Sequence, residues 1–209
     1  MIYIPFLQSG AGGVMVIDSL QDNLLDGDIA IPAHEAGDLV VMIQRASATF
    51  PSYDTPATQS GFTSLAAADD MTYAIRYRVQ WKVDTDNSFT TISAGSASDL
   101  FTVILIRGAS GIGAVAMTKG DNLGPPATIP GLTLTDTSGA SLVLAGVFTN
   151  QSYELTDPAS HTRLEGTPIV GGGMPVVWVY DGATSSYAGD SVPWTGAGYW
   201  TAFAVEVMA

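Results

Sequence analysis

From Thr72 to Val83 the chain alternates two kinds of residue, and this stretch constrains the fold more than any other. Tyr73, Ile75, Tyr77, Val79 and Trp81 occupy every second position, and Thr72, Ala74, Arg76, Arg78, Gln80 and Lys82 fill the gaps. A period of two sends successive side chains to opposite faces of a β-strand. One face is expected to be buried and the other wet, as in an antiparallel sheet.

Helical periodicity is nearly absent elsewhere. Leu39–Ile43, Leu100–Ile106, Leu142–Phe148 and Val176–Tyr180 are short, continuous apolar runs bounded by turn residues. Their length and β-branched content favour buried strands. Tyr199–Met208 is a further strand, and Asp28–Pro32, Phe89–Ile92 and Leu132–Thr135 are shorter ones. Val14–Asp26 fits either a strand at Val14–Ile17 or a helical turn at Ser19–Leu25. Gly10–Gly13, Gly108–Gly113, Gly124–Pro126 and Gly171–Gly173 punctuate the chain as loops, and Gly108–Pro130 is expected to be a long connection with little regular structure.

The two halves of the chain look alike. Ile29, Ile31, Leu39 and Val41 align with Leu132, Leu134, Leu142 and Leu144 at one constant offset, with a turn at Gly37 or Gly139. Tyr77–Trp81 aligns with Val176–Tyr180, and Phe101–Ile106 with Trp200–Val205. This points to an internal duplication with half-repeats at about 27–110 and 130–209 within one β-sandwich domain, 27–209. Residues 1–26 stand apart as an N-terminal arm or extension.

Composition narrows the function. The 209 residues suffice for a sizeable core, and the formal net charge is −13, with 20 acidic against 7 basic residues. Nucleic acid is therefore not an expected partner, because phosphate binding needs clustered Lys and Arg. Cysteine is absent, which removes disulfides and thiolate metal sites. Met1–Gly13 has no basic residue ahead of its apolar patch and does not resemble a signal peptide, and no apolar run approaches the ~18 residues of a membrane-spanning helix. No membrane partner is expected.

The order of motifs resembles a group of tailed-bacteriophage minor virion structural proteins. The matching segments are Ile29–Ile43, with Gly37-Asp38 before its hydrophobic strand, Ile75-Arg-Tyr-Arg-Val79, Phe101-Thr-Val-Ile-Leu-Ile-Arg-Gly108, Ser141–Leu144 and Tyr199–Val207. The resemblance runs from about Gly27 to the C-terminus, and the order of these short motifs carries it. It implies a jelly-roll-like β-sandwich in a tail, neck or head-decorating subunit that binds copies of itself and other virion proteins. It carries over no catalytic residue and no cofactor, and it places the chain in the virion after assembly in the host cytoplasm.

Several residues invite a role. Arg76, Arg78 and Lys82 share one strand face and would suit docking to an acidic neighbour; the plainer alternative is a solvated face with local ion pairs. Asp18, Asp22, Asn23, Asp26 and Asp28, and separately Asp84, Asp86 and Asn87, offer oxygen ligands for calcium but lack EF-hand spacing. No metal site is expected from them. Arg107, at the end of a buried strand, fits a structural salt bridge. His34 and His161 are the only histidines, and no nucleophile elbow, zinc motif or phosphate loop accompanies them.

Trp178, Trp194, Trp200, Tyr187 and Tyr199 enrich the C-terminal third, where core packing competes with stacking on sugar rings. Trp194, following Pro193, is the best candidate for an exposed aromatic contact, and a host-surface glycan is its candidate ligand. A carbohydrate-binding module is thus the alternative to an assembly subunit. An enzyme is the reading that the sequence motivates least.

Overall fold

A computed structural model describes residues 8–9, 13–23, 28–46, 56–70, 75–92, 100–122, 126–149, 154–165, 175–194 and 198–209. Among them there is no helix, every sheet is antiparallel, and the fold is all-β. The chain divides into two compact units, one built on Met15–Ala109 and the other on Ser110–Ala209.

The first unit contains β1 (Gln8–Ser9), β2 (Met15–Asn23), β3 (Ile29–Ala30), β4 (Leu39–Ala46), β5 (Thr63–Asp70), β6 (Ile75–Val83), β7 (Thr91–Ile92) and β8 (Leu100–Arg107). Six of these form one sheet in the order β1-β2-β8-β4-β6-β5, and β3 pairs with β7. Met15–Asn23, within the stretch set apart as an extension, pairs along the whole of β8 and resolves the ambiguity at Val14–Asp26 in favour of a strand. Leu24 and Leu25, Thr72–Ala74 and the loops at Gly10–Gly12 and Gly171–Gly173 lie outside the described residues.

The apolar runs are continuous because both faces of the central strands are buried. On one face Val40, Met42, Val103 and Leu105 pack under Ile29, Ile31, Phe62, Ile92 and Phe89. On the other, Leu39, Val41, Ile43, Val79, Ile104 and Ile106 are fully buried. This corrects the expectation of a wet polar face on β6. Lys82 sits opposite Val40, and Gln80 opposite Met42, on the face roofed by the β3–β7 ladder. Gln80 is accordingly 0% exposed, donates to Gln44 Oε1 and accepts the Gln59 amide at 2.8 Å.

The second unit contains β9 (Gly111–Asn122), β10 (Ala127–Ile129), β11 (Leu132–Thr133), β12 (Leu142–Thr149), β13 (Thr162–Glu165), β14 (Val176–Tyr180), β15 (Ser186–Tyr187), β16 (Asp190–Val192) and β17 (Gly198–Met208). A five-stranded sheet runs β13-β14-β12-β17-β9, and the short ladders β10–β16 and β11–β15 complete the unit. Ile129, Leu132, Leu134, Tyr187, Val192 and Trp194 pack from those ladders and loops onto Val143, Ala145, Trp178, Trp200 and Ala202 of the sheet. The unit is therefore two-layered.

β9 occupies most of the segment expected to be a long irregular connection. Its small residues hide a strand from hydropathy patterning, and the packing requires them. A Cβ on Gly113 would overlap the Glu206 carboxylate, and one on Gly120 would lie 2.5 Å from the Trp200 ring. Gly146 in β12 is forced likewise, because a Cβ there would overlap the Phe203 ring.

Candidate functional site

In the first unit the polar side chains gather where β6 and β8 end beside the connection from β3 to β4. That connection turns through Gly37, at φ +96°, a conformation that favours glycine. Arg107, the last residue of β8, grips Asp38 with both prongs of its guanidinium, Nε to Oδ1 and Nη2 to Oδ2, each at 2.9 Å. Asp38 Oδ2 also accepts the Glu35 amide at 2.7 Å. Burial pushes the Asp38 carboxyl up, but Arg107 and the amide together outweigh it and hold it below its ordinary value. The same hydrogen bonds raise Arg107.

Just past the end of β6, Asp84 gathers a second set. Its Oδ2 lies 2.7 Å from His34 Nε2 and accepts the Phe89 amide, and its Oδ1 lies 3.1 Å from Lys82 Nζ. His34 Nδ1 faces the Pro32 carbonyl at 2.9 Å. Burial raises the Asp84 carboxyl, and the His34 and Lys82 bonds more than reverse the effect. Lys82 also lies 4.7 Å from the Phe89 ring centre.

These contacts decide where the basic trio goes. Lys82 is spent on Asp84 and Phe89. Arg78 donates to the Pro56 carbonyl and to Ser64 Oγ, both at 2.6 Å, and so ties a loop to its own sheet. Arg76 stands in register with Ala46 and Asp69, and its side chain lies outside the described residues. The two described members hold the unit together.

The calcium candidates also separate. Asp18, Asp22 and Asn23 lie along β2 rather than in a loop, and Asp18 Oδ1 accepts the Ser19 amide. Asp26 lies outside the described residues. Asp86 caps the turn at Ser88, whose amide and hydroxyl lower its carboxyl. Among the described residues no three His, Asp or Glu side chains are grouped to hold a metal ion.

The second unit is organised around a carboxylate that sequence patterning passed over. Glu206 is 0% exposed on β17, inside the apolar run that closes the chain. Its Oε2 accepts the amides of Ala114 at 2.7 Å and Thr135 at 2.8 Å. Its Oε1 accepts the Asp136 amide at 2.8 Å and the Ser141 hydroxyl at 3.3 Å. Burial raises this carboxyl, and the three backbone amides overcome it and hold the group low. The one available signal was an acid within ten otherwise uncharged residues, Tyr199–Met208.

The remaining polar group surrounds His161. Its Nε2 lies 2.9 Å from Tyr187 Oη and its Nδ1 2.9 Å from the Ala159 carbonyl, and its ring is tilted against Tyr180 at 5.1 Å. Burial first, and then the charge of Asp190, raise the Tyr187 phenol above its ordinary value. Arg163 binds Asp157 and the Leu155 carbonyl, and Asp157 also accepts Trp178 Nε1 at 2.7 Å.

Trp194, expected to be exposed, is not. Its backbone bridges Leu155, and its side chain enters the core at 4% exposure. A loop backbone after Pro193 still leaves the indole free to bury its large apolar area inward. Trp178, Trp200 and Tyr187 are buried as well, and Tyr199, at 37%, is the large hydrophobic that stays exposed among the described residues. A shallow depression of about 190 Å³ lies beside Glu154, Thr156, Pro193 and Trp194.

No family model, curated protein or solved structure matches this chain. Its chemistry must be argued from its own residues. Three buried carboxylates, Asp38, Asp84 and Glu206, each bind partners in their own unit: backbone amides, the strand-end cations Arg107 and Lys82, the His34 ring and the Ser141 hydroxyl. Such sets fix loops against sheets.

Proposed function

We propose that this chain is a structural subunit of a tailed-phage virion, in the tail, neck or head decoration, that acts through protein–protein contacts in a symmetric assembly. One observation carries the reading: the buried carboxylates Asp38, Asp84 and Glu206 are consumed in clamping connections to sheet ends, which suits firmly built units that present surfaces. Antiparallel pairing throughout supports the jelly-roll-like architecture that belongs to the same proposal. The glycan-binding alternative loses its motivation, because the tryptophans that would form a platform, Trp178, Trp194 and Trp200, are buried.

An origin by internal duplication is also part of this reading, and the strand ladders support it. The orders β2-β8-β4-β6-β5 and β9-β17-β12-β14-β13 correspond strand for strand, and β3–β7 corresponds to β11–β15. The bulge at Ser64/Ala66 on β5 recurs at Arg163/Glu165 on β13. The hydrogen bond from the Ile31 amide to the Thr90 carbonyl recurs from Leu134 to Ser185. Irregularities repeated at matching positions are poorly explained by chance, since bulges persist as family features.

The test is mass spectrometry of purified particles from cells that produce the chain. The expected result is this protein in fixed ratio to the other virion components. Its absence from particles, while present in the same lysate, removes the proposal.

A further inference from the structure

We infer that the outer edge of β9 is where two copies of this chain join, strand to strand and antiparallel. The inference deepens the assembly reading by naming its surface. An edge strand presents a row of backbone donors and acceptors that will pair with another strand unless something prevents it. The two large sheets have four edges among the described residues: β1, β5, β13 and β9. Three are guarded in ordinary ways. β1 has two residues, β5 ends on Asp69 and Asp70, and β13 carries Arg163 and Glu165.

β9 carries Lys119 and Asp121 towards its end and a bulge opposite Glu206, but its middle, Val115–Thr118, has no such guard. It runs for 12 residues, the longest strand described, and among the described residues only β17 pairs with it. Ile112, Val115 and Met117 are half-exposed along it. In a chain with 20 acidic residues, none falls between Gly108 and Gly120, and Lys119 is the single charge there.

This charge pattern selects the occupant. Two copies at net −13 repel each other over most of their surfaces, and the repulsion is least along the acid-free part of this edge, Gly111–Gly120. An antiparallel pairing of β9 with itself is isologous, so the contact closes on a two-fold axis. With the axis anywhere between Val115 and Thr118, neither Lys119 nor Asp121 meets its own copy. One strand pair buries less than the ~1,200 Å² of a standard stable interface, so association is expected to be weak, in the micromolar range, and strengthened by salt that screens the like charges.

The absence of cysteine makes the test direct. Single cysteines are placed along β9 at Ala114, Val115, Ala116, Met117 and Thr118, with Ser64→Cys on β5 and Thr162→Cys on β13 as controls. Directly opposed residues of an antiparallel pair bring their Cβ atoms to about 5 Å, within disulfide reach. Under mild oxidation at 0.5 M salt, cross-linked dimer should peak at one or two adjacent β9 positions, those nearest the axis, and stay near background at the controls. In equilibrium sedimentation, Val115→Lys with Met117→Lys should weaken association at least tenfold while leaving the unfolding midpoint in place. Dimers that form equally in the lysine variant, or cross-linking as strong at Ser64 and Thr162, assign the contact to another surface and overturn the inference. A monomer at every concentration and salt overturns it too. The particle analysis decides the assembly reading independently of either result.

Discussion

Replacing Glu206 by glutamine isolates one carboxylate oxygen, and the structure gives the cost. Oε2 serves two amides, and Oε1 serves one amide and one hydroxyl. A glutamine keeps a single carbonyl oxygen, so its NH₂ must face at least one backbone N–H. Hydrogen bonds to charged groups contribute about 1.5–3 kcal/mol, and a buried donor left unpaired costs about 1–3 kcal/mol. The surviving bonds weaken as well, because the acceptor loses its charge. The expected loss is about 2–4 kcal/mol, a large part of a typical stability of about 5–15 kcal/mol. With a urea dependence of about 2 kcal/mol per molar, the unfolding midpoint should fall by about 1–2 M.

Acid provides an internal control on Glu206→Gln. The folded carboxyl is held below the unfolded value of about 4.3, so the unfolded chain binds the extra proton in the window between them. The stabilisation is complete above that window and drains away as pH falls through the folded value. The gap between wild type and Glu206→Gln should therefore close on acidification. Urea titrations at pH 7 and at successively lower pH read both effects. A pH 7 difference under about 0.5 kcal/mol, the range of an ordinary surface change, refutes the reasoning about this cradle.

Other perturbations test the neighbouring arguments. Gly113→Ala drives a methyl into the Glu206 carboxylate and should lower the unfolding midpoint, with a much smaller effect in the Glu206→Ala background; equal losses in both would separate the two residues. Arg107→Lys removes the two-pronged grip on Asp38 and, since Arg107 is partly exposed, should cost about 1 kcal/mol by urea titration. Gly146→Ala overlaps the Phe203 ring and should cost about 1–3 kcal/mol, where a neutral result would show that the ring moves freely. Trp178, Trp194 and Trp200 are buried and Trp81 is half-buried, so the folded protein should show blue-shifted emission with weak acrylamide quenching; strong quenching would contradict the burial of Trp194.

The strands legible in the sequence are those whose side chains are large on both faces. Leu39–Ile43, Leu100–Ile106, Leu142–Phe148, Val176–Tyr180 and Tyr199–Met208 all lie in strands, because continuous burial leaves a continuous apolar record. β9 left no such record, since Gly113 and Gly120 are small to make room for Glu206 and Trp200, which are distant in sequence. The alternation of β6 marks a strand, but its polar face meets the β3–β7 roof rather than solvent, and that roof is a tertiary fact. The aligned apolar runs set Trp81 against Tyr180, whereas with β4 laid on β12 at the constant offset, ladder register sets Trp81 against Val179. A slip of one residue moves a side chain to the other face.

The polar sites were the least legible, and comparing the two ladders suggests why. In each unit a connection leads from a short strand to the central strand, β3 to β4 and β11 to β12, past the end of the sheet. Its amides need partners wherever that passage is buried. The first unit meets the need with a loop carboxylate, Asp38, which takes the Glu35 amide and is held by the strand-end cation Arg107. The second reverses the roles: the strand supplies the carboxylate, Glu206, and the loop supplies the amides of Thr135 and Asp136. Ladder register places Glu206 where the first unit has Leu105, an apolar core residue. A buried charge at that place is tolerable only with Gly113 beside it and three amides around it. No single position in the sequence announces such a set, because each member is ordinary until the fold joins them.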